Sequence, residues 1–237
     1  MKKHSRKVQY MEFSGSRPTL GLVIGEKSSL MVDAGSSSEH AEEFVEYANS
    51  IGVKNLKYVA ITHHHWDHIS GIPHLDLVSI GSREAQDKSG LDIGFEEKLK
   101  LDLGGVSCVI EHIGGDHSED SSLVYVENEK IMFLGDSTYR GFWGEKRYHT
   151  LENVSRISER ILSYDCDIYV TAHKEPYSRL EMESMLRRMM ELGRAAESYS
   201  SLEELKLGVQ TELTAEDIFY LEAFYEGISK KGGERAG

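Results

Sequence analysis

The chain has 237 residues, with 40 Asp or Glu against 27 Lys or Arg and a formal charge of -13. That length supports one sizeable hydrophobic core without staples, and a bulk field of this sign opposes polymeric nucleic acid and anionic membranes. No run approaches the roughly 18 apolar residues of a membrane span. Cys108 and Cys166 stand in no metal or redox pattern, so reduced, partly buried thiols are expected. The basic start, Lys2 to Lys7, leads into a stretch too short and polar for a secretory signal. These observations together predict a cytoplasmic protein with no membrane partner and with nucleic acid disfavoured as one; a homodimer is compatible with them.

The first third reads as three strands, a helix and a strand. Residues 8 to 13, 20 to 26 and 29 to 33 are β-type runs separated by Gly15-Ser16-Arg17-Pro18 and Glu26-Lys27-Ser28. Ser36 and Glu39 offer a capping box, and Ala41, Phe44, Val45 and Ala48 then follow at helical spacing before Gly52. The apolar run Leu56 to Ile61 ends directly at Thr62-His63-His64-His65-Trp66-Asp67-His68. A short strand is expected at 77 to 80, and from Ser82 to Lys100 a helix fragment or loop near the mouth of a site.

Strands are predicted at Val106 to Ile110, Ser122 to Val126 and Ile131 to Leu134, the last two joined at Glu127-Asn128-Glu129-Lys130. An amphipathic helix, Leu151 to Leu162, leads to a final strand, Ile168 to Thr171. After Pro176 the pattern becomes helical: Arg179 to Tyr199, then Ala215 to Lys230 behind the capping pair Thr214 and Asp217. Leu180, Met185, Met189 and Leu192 are read as core contacts, and Lys231 to Gly237 as an unstructured tail. No internal repeat is present.

In an extended segment, side chains alternate. His63, His65 and Asp67 therefore point one way and His64 and Trp66 the other, while a turn after Asp67 brings His68 back beside it. Imidazole and carboxylate suit zinc, iron or manganese, and the absence of nearby cysteine favours an open site over a closed structural zinc. The spacing suggests His63 and His65 on one metal and Asp67 and His68 on its neighbour, each short of ligands. Three residues at predicted strand ends carry the missing chemistry: His117, Asp136 and His173. Asp33 is read as ordering a loop or a ligand histidine, Trp66 as a packing residue, His64 and His112 as neighbours of the site or core, and His149 as solvent-facing.

Taken in order, Val32-Asp33-Ala34-Gly35, T-H-x-H-x-D-H at 62 to 68, Gly-x-His-Ser at 115 to 118, Gly-Asp-Ser at 135 to 137 and His173 make the chain resemble the metallo-β-lactamase-fold hydrolase superfamily. The resemblance covers most of residues 20 to 175. It implies an α/β fold, a four-layer αββα sandwich of two mixed β-sheets flanked by helices. Residues 1 to 176 would form the catalytic core, and residues 177 to 237 a helical C-terminal extension packed on it. It also implies His63, His65 and His117 on a first metal, Asp67, His68 and His173 on a second, and Asp136 bridging both. Two dications, zinc first with iron or manganese as alternatives, would lower the pKa of a shared water and polarise the scissile bond, with Asp67 taking up a proton.

The loops depart from the family pattern, with Gly114-Gly115-Asp116 before His117 and Ala172 before His173. Asp136 with His68 argues against a true β-lactamase, and His65, where flavodiiron-type oxidoreductases carry glutamate, argues against redox chemistry. Tyr139, three residues after Asp136, resembles the carbonyl-polarising tyrosine of the N-acyl-homoserine lactonases, so it joins Asp67 as a catalytic candidate. The expected activity is hydrolysis of a small ester, lactone or thioester. The alternatives are a phosphodiesterase acting on nucleotides or RNA, and a mono-iron dioxygenase or non-hydrolytic metal-binding protein of the same fold.

Overall fold

The computed structural model describes residues 1–12, 14–208 and 213–235, with side chains described through 232. Phe13, expected to end the first strand, and the last two residues of the expected tail lie outside the described residues. The chain divides into two compact units: the first comprises Met1–Gly114, Ser118–Ser137 and Asp165–Arg179, the second Gly115–His117, Thr138–Tyr164 and Leu180–Gly237.

The first unit holds two sheets. Strands β1 (Lys2–Lys3), β2 (Val8–Met11), β3 (Leu20–Ile24), β4 (Ser29–Val32), β5 (Leu56–Ala60), β6 (Val78–Ser82) and β7 (Ile93–Phe95) pair in chain order. Pairing is antiparallel from β1 to β4 and parallel from β4 to β7. The second sheet begins with the antiparallel strands β8 (Lys98–Asp102), β9 (Ser107–His112), β10 (Ser122–Val126) and β11 (Ile131–Gly135). In the second unit, β12 (Gly141–Trp143) and β13 (Lys146–Tyr148) form a separate hairpin. The second sheet is completed by β14 (Ile168–Thr171), parallel to β11, and β15 (Tyr177–Ser178) at its edge.

Period-two alternation explains why the sheets stack. Val23, Leu30 and Val32 of the first sheet meet Ile110, Val124 and Phe133 of the second in one core, while the intervening Leu20, Leu22 and Met31 face outward. That outer face is covered by α1 (Ser38–Ser50), whose Ala41, Phe44 and Ala48 are fully or almost fully buried. Burying a side chain of Phe44's size contributes roughly 1.5–3 kcal/mol. The cap of α1 is Ser37, not Ser36: Ser37 has extended backbone and its hydroxyl accepts from the His40 amide. Two further helices, α2 (Trp66–Ile69) and α3 (Arg83–Ser89), complete the unit.

The stretch from Ser82 to Lys100 therefore supplies a helix and two edge strands. Its polar composition suits edges, where one face meets solvent.

The second unit is built on α4 (Leu151–Leu162), α5 (Arg179–Ser198), α6 (Leu202–Gly208) and α7 (Ala215–Arg235). Val154, Met189, Leu192, Leu205, Leu221 and Phe224 make its core. Leu180 is 75% exposed, against expectation. The buried face of α5 runs through Met182, Leu186, Met189 and Leu192, and a residue two positions before Met182 falls on the opposite side of a 3.6-residue helix. The expected tail is helical as far as Arg235. Thr214 and Asp217 form the predicted box: each backbone amide donates to the other's side chain, at 3.0 and 3.1 Å.

Candidate metal centre

In the first unit the carboxyl ends of β4, β5, β11 and β14 carry Asp33, Thr62 to His68, Asp136 and His173. The parallel pairs β4–β5 and β11–β14 make these ends coincide, and loops leaving parallel strands are where fixed strands can present side chains. Short backbone bonds hold the ends: Asp33 N to Ala60 O at 2.8 Å, Ser122 N to Thr62 O at 2.7 Å, and Ala172 N to Gly135 O at 3.1 Å. Gly135 has φ 51°, and a Cβ there would overlap the Thr62 side chain, so glycine alone fits before Asp136.

His65 caps α2, which places Asp67 and His68 in its single turn. Asp67, His68, Asp136 and His173 each offer one ligand atom, all within 4.8 Å of one another. His173 Nε2 lies 3.2 Å from Asp67 Oδ2 and 3.7 Å from Asp136 Oδ2. His68 Nε2 lies 3.6 and 3.7 Å from the same two oxygens, buried and without a hydrogen-bond partner among the described residues. An imidazole nitrogen buried among carboxylates at more than hydrogen-bond distance is costly unless something sits between them. A divalent cation fits that donor set of imidazole and carboxylate. The rings of His63 and His65 are 4.5 Å apart, and those of His63 and His68 4.1 Å.

The electrostatics agree with a cation site. Burial alone would lower the pKa of His68, yet the Asp33 and Asp136 carboxylates outweigh it and hold it well above the usual histidine range. Burial alone would raise Asp67, and its bond with His173 and the charge of His68 bring it below the ordinary carboxylate value. Asp33 accepts from Thr62 N, Thr62 Oγ1 and His68 Nδ1 at 2.8, 2.9 and 2.8 Å, which turns the His68 Nε2 lone pair toward the carboxylates. The expectation that Asp33 orders a ligand histidine matches this geometry.

Two carboxylates not singled out in the sequence complete the supports. Asp120, fully buried in the first unit, takes the His64 amide and ring Nδ1, each at 2.8 Å, and the Ser118 hydroxyl as well. It pins the backbone between His63 and His65. In the second unit Asp116, the residue before His117, accepts from Thr150 N, Thr150 Oγ1 and Asn153 Nδ2 at 2.7, 2.9 and 2.7 Å. It thereby ties the start of α4 to the segment carrying His117. The available signal was the three acidic residues around His117 in Asp116-His117-Ser118-Glu119-Asp120.

His117 itself belongs to the second unit, where its Nδ1 lies 3.1 Å from the Arg140 carbonyl oxygen and its ring meets those of Tyr139 and Phe142 edge-on at 6.3 and 6.2 Å. Tyr139 is half-buried there. Two expectations fail. Trp66 is 61% exposed, because the turn of α2 carries it off the sheet into solvent. His149 is buried rather than solvent-facing, held beside Tyr220 and Phe224 of α7 with its amide bonded to Ala223 O at 2.9 Å. His64 and His112 sit as expected, on Asp120 and on the Glu119 carbonyl. Both cysteines are free and buried, and burial pushes each thiol up to about 12. Among the described residues no helix is long and apolar enough to cross a membrane.

Residues 17–80 match the model of the metallo-beta-lactamase superfamily. A hydroxyacylglutathione hydrolase of Ruegeria pomeroyi is 30% identical over 88 residues, 35% of this chain and 34% of the relative. An atrochrysone carboxyl ACP thioesterase of Claviceps purpurea is 28% identical over 153 residues, 62% of this chain and 47% of the relative. The matched segments thus span less than half the length of these curated relatives. A solved metallo-beta-lactamase from Pontibacter korlensis superposes with a TM-score of 0.62 at 19% identity, covering 78% of this chain and 97% of the other. Such identity shows shared fold alone, and that fold is the αββα class read from the sequence. The chain thus has the metallo-beta-lactamase fold, and its residues 17–80 carry the sequence pattern of that superfamily.

Proposed function

We propose that the chain is a metal-dependent hydrolase of a small ester, lactone or thioester. One observation carries the reading: the ligand atoms of Asp67, Asp136 and His173 gather around His68 Nε2, which is buried and has no hydrogen-bond partner among the described residues. The names of two relatives, a hydroxyacylglutathione hydrolase and an ACP thioesterase, support thioester chemistry in particular. In this reading those four residues hold one divalent ion, zinc before iron or manganese. His63, His65 and His117 are assigned to a second ion and Asp136 to both, as the order of the motifs implies.

When bound, such ions supply a water of lowered pKa and polarise the scissile carbonyl. The chain's own part is positional. Asp33 and Asp120 hold the histidine segment, Gly135 admits the close approach of Asp136, and Asp67, kept ionised by His173, accepts the proton that the attacking water loses. That proton leaves with the alkoxide or thiolate. Tyr139 is assigned the donor role toward the carbonyl oxygen.

Asp136→Asn should lower turnover of an active thioester by about 100-fold or more while the circular dichroism spectrum stays that of the parent. The reading fails if metal-loaded protein hydrolyses no carboxylic ester, lactone or thioester across a broad panel, or if hydrolysis survives complete chelation. Turnover of bis-p-nitrophenyl phosphate far above that of carboxyl esters would assign the site to phosphodiester chemistry instead.

A further inference from the structure

In the first unit, Arg17, Lys27, Arg83, Lys88, Lys100 and Lys130 each make an ion pair with a nearby carboxylate. Lys3, Arg6 and Lys54 make none among the described residues, and all three line one groove. No residue lining that groove is acidic. A single exposed cation needs no partner in water. Three on one concave surface, in a chain of charge -13, reverse the sign of the local field.

The register of the first sheet builds the groove. Lys3 pairs with Gln9, Gln9 with Leu22 and Leu22 with Met31, so these four side chains share the outer face of the sheet. Leu22 and Met31 are fully buried under α1, whereas Lys3, on the short edge strand, is exposed. Lys2 points to the opposite face, where it pairs with Glu12 and Glu175. Helix α1 ends at Ser50, and the residues that follow it, Ile51 to Asn55, line the groove from the other side.

A buried donor points to the same ligand chemistry. Gln9 is only 6% exposed, and its Oε1 accepts from the Tyr47 hydroxyl of α1. Its Nε2 donates to no atom of the described residues, although a buried amide is normally satisfied at both ends. Lys54 Nζ lies 3.4 Å from the Asn49 carbonyl oxygen, which leaves further ammonium hydrogens to donate. The groove thus offers donors and positive charge, beside apolar surface from Ile24 and from Ile51, which is 41% exposed.

We propose that this groove binds a small molecule bearing a polyphosphate group, held by Lys3, Arg6, Lys54 and the Gln9 amide. A guanidinium fork and two ammonium point charges suit an oxyanion of two or three negative charges, and the Gln9 donor suits one of its oxygens. The volume of about 710 Å³ lies in the roughly 300–1,000 Å³ range of small-molecule sites, and a concave surface favours such a ligand over an acidic macromolecule. The site is separate from the candidate metal centre of the same unit. Asn55 of the groove precedes β5, while Thr62 to His68 follow its far end, a strand of 5 residues or about 17 Å away. The proposal therefore stands whether or not the chain is a hydrolase.

The test titrates metal-loaded protein calorimetrically, at low salt, with non-hydrolysable α,β-methylene-ADP, pyrophosphate, citrate and adenosine. At least one of the two phosphates should bind with a dissociation constant of about 100 µM or tighter, and adenosine about 100-fold more weakly. Pyrophosphate binding as well as the nucleotide analogue names a free polyphosphate as the ligand; pyrophosphate binding about threefold or more weakly names a nucleotide. Arg6→Met, Lys54→Met, both at exposed positions, should weaken binding about tenfold or more, and Arg6→Lys, Lys54→Arg should retain most of it. Asp136→Asn, changed at the metal centre, should leave it within about twofold. Three outcomes overturn the site: no saturable phosphate binding below about 1 mM, citrate binding more tightly than either phosphate, or phosphate binding that the double Met variant leaves intact. Loss of phosphate binding in Asp136→Asn also overturns it, because the phosphates would then sit at the metal centre.

Discussion

Asp33 sits at φ 60°, a left-handed backbone that costs most side chains energy and that Asp tolerates better than others. Its three hydrogen bonds to Thr62 and His68 offset that cost, so the residue is held by the site as much as it holds it. Replacing it by Ala leaves a buried amide, hydroxyl and imidazole without their acceptor. Asp33→Ala should weaken metal retention about 10- to 100-fold and destabilise the fold by about 1–3 kcal/mol. Metal content after dialysis against graded chelator, read beside a urea titration, checks both. Unchanged retention would remove Asp33 from the metal centre. His68 and its neighbours were legible from spacing because ligand chemistry is a property of residue type. The partner of His68 Nδ1 was less so, since Asp33 lies 35 positions away and only strand pairing brings it close.

At the level of elements, α5 and α7 are joined by an ion pair: Arg188 Nε donates to Asp217 Oδ1 at 2.7 Å, beside the Thr214–Asp217 box. The Arg188 bond, with the Thr214 bonds behind it, lowers Asp217 to about 2. A carboxylate whose folded pKa is below its unfolded value of about 3.9 binds fewer protons folded, so its stabilising contribution is complete above that value. It is lost as pH falls from about 4 through about 2. Acid titration of helicity should therefore show a loss in that window that Asp217→Asn lacks, the variant being already less stable at neutral pH. Identical acid transitions in the two proteins would show that the pair contributes nothing. The amphipathic helices α1, α4, α5 and α7 were all readable from periodicity, and the Thr214–Asp217 cap as well. The β12–β13 hairpin and α6 were not, being short and weakly patterned, with formation that depends on what they pack against.

On the scale of the whole molecule, a ligand that binds only the folded chain stabilises it by mass action, by about 2.7 kcal/mol at a free concentration 100 times its dissociation constant. Removing metal by chelation should therefore abolish thioester turnover and lower the melting temperature by about 5 °C or more, both restored by zinc, iron or manganese. Calorimetry with and without chelator, paired with elemental analysis, measures this. A melting temperature indifferent to chelation would mean that no bound ion contributes to the fold.

Reading along the chain sufficed for the histidine and aspartate candidates, their order and the strand ends that bear them, and the resemblance carried by those motifs implied the αββα class. Alternation, turn chemistry and imidazole or carboxylate character are local properties that survive without coordinates. Burial and partnership are not local. Whether Trp66 faces solvent, whether His149 is enclosed and which carboxylates hold His64 and His68 all depend on contacts between segments far apart in sequence. Packing sets those, because the energy of a buried polar group is decided by whichever distant atom the fold puts beside it.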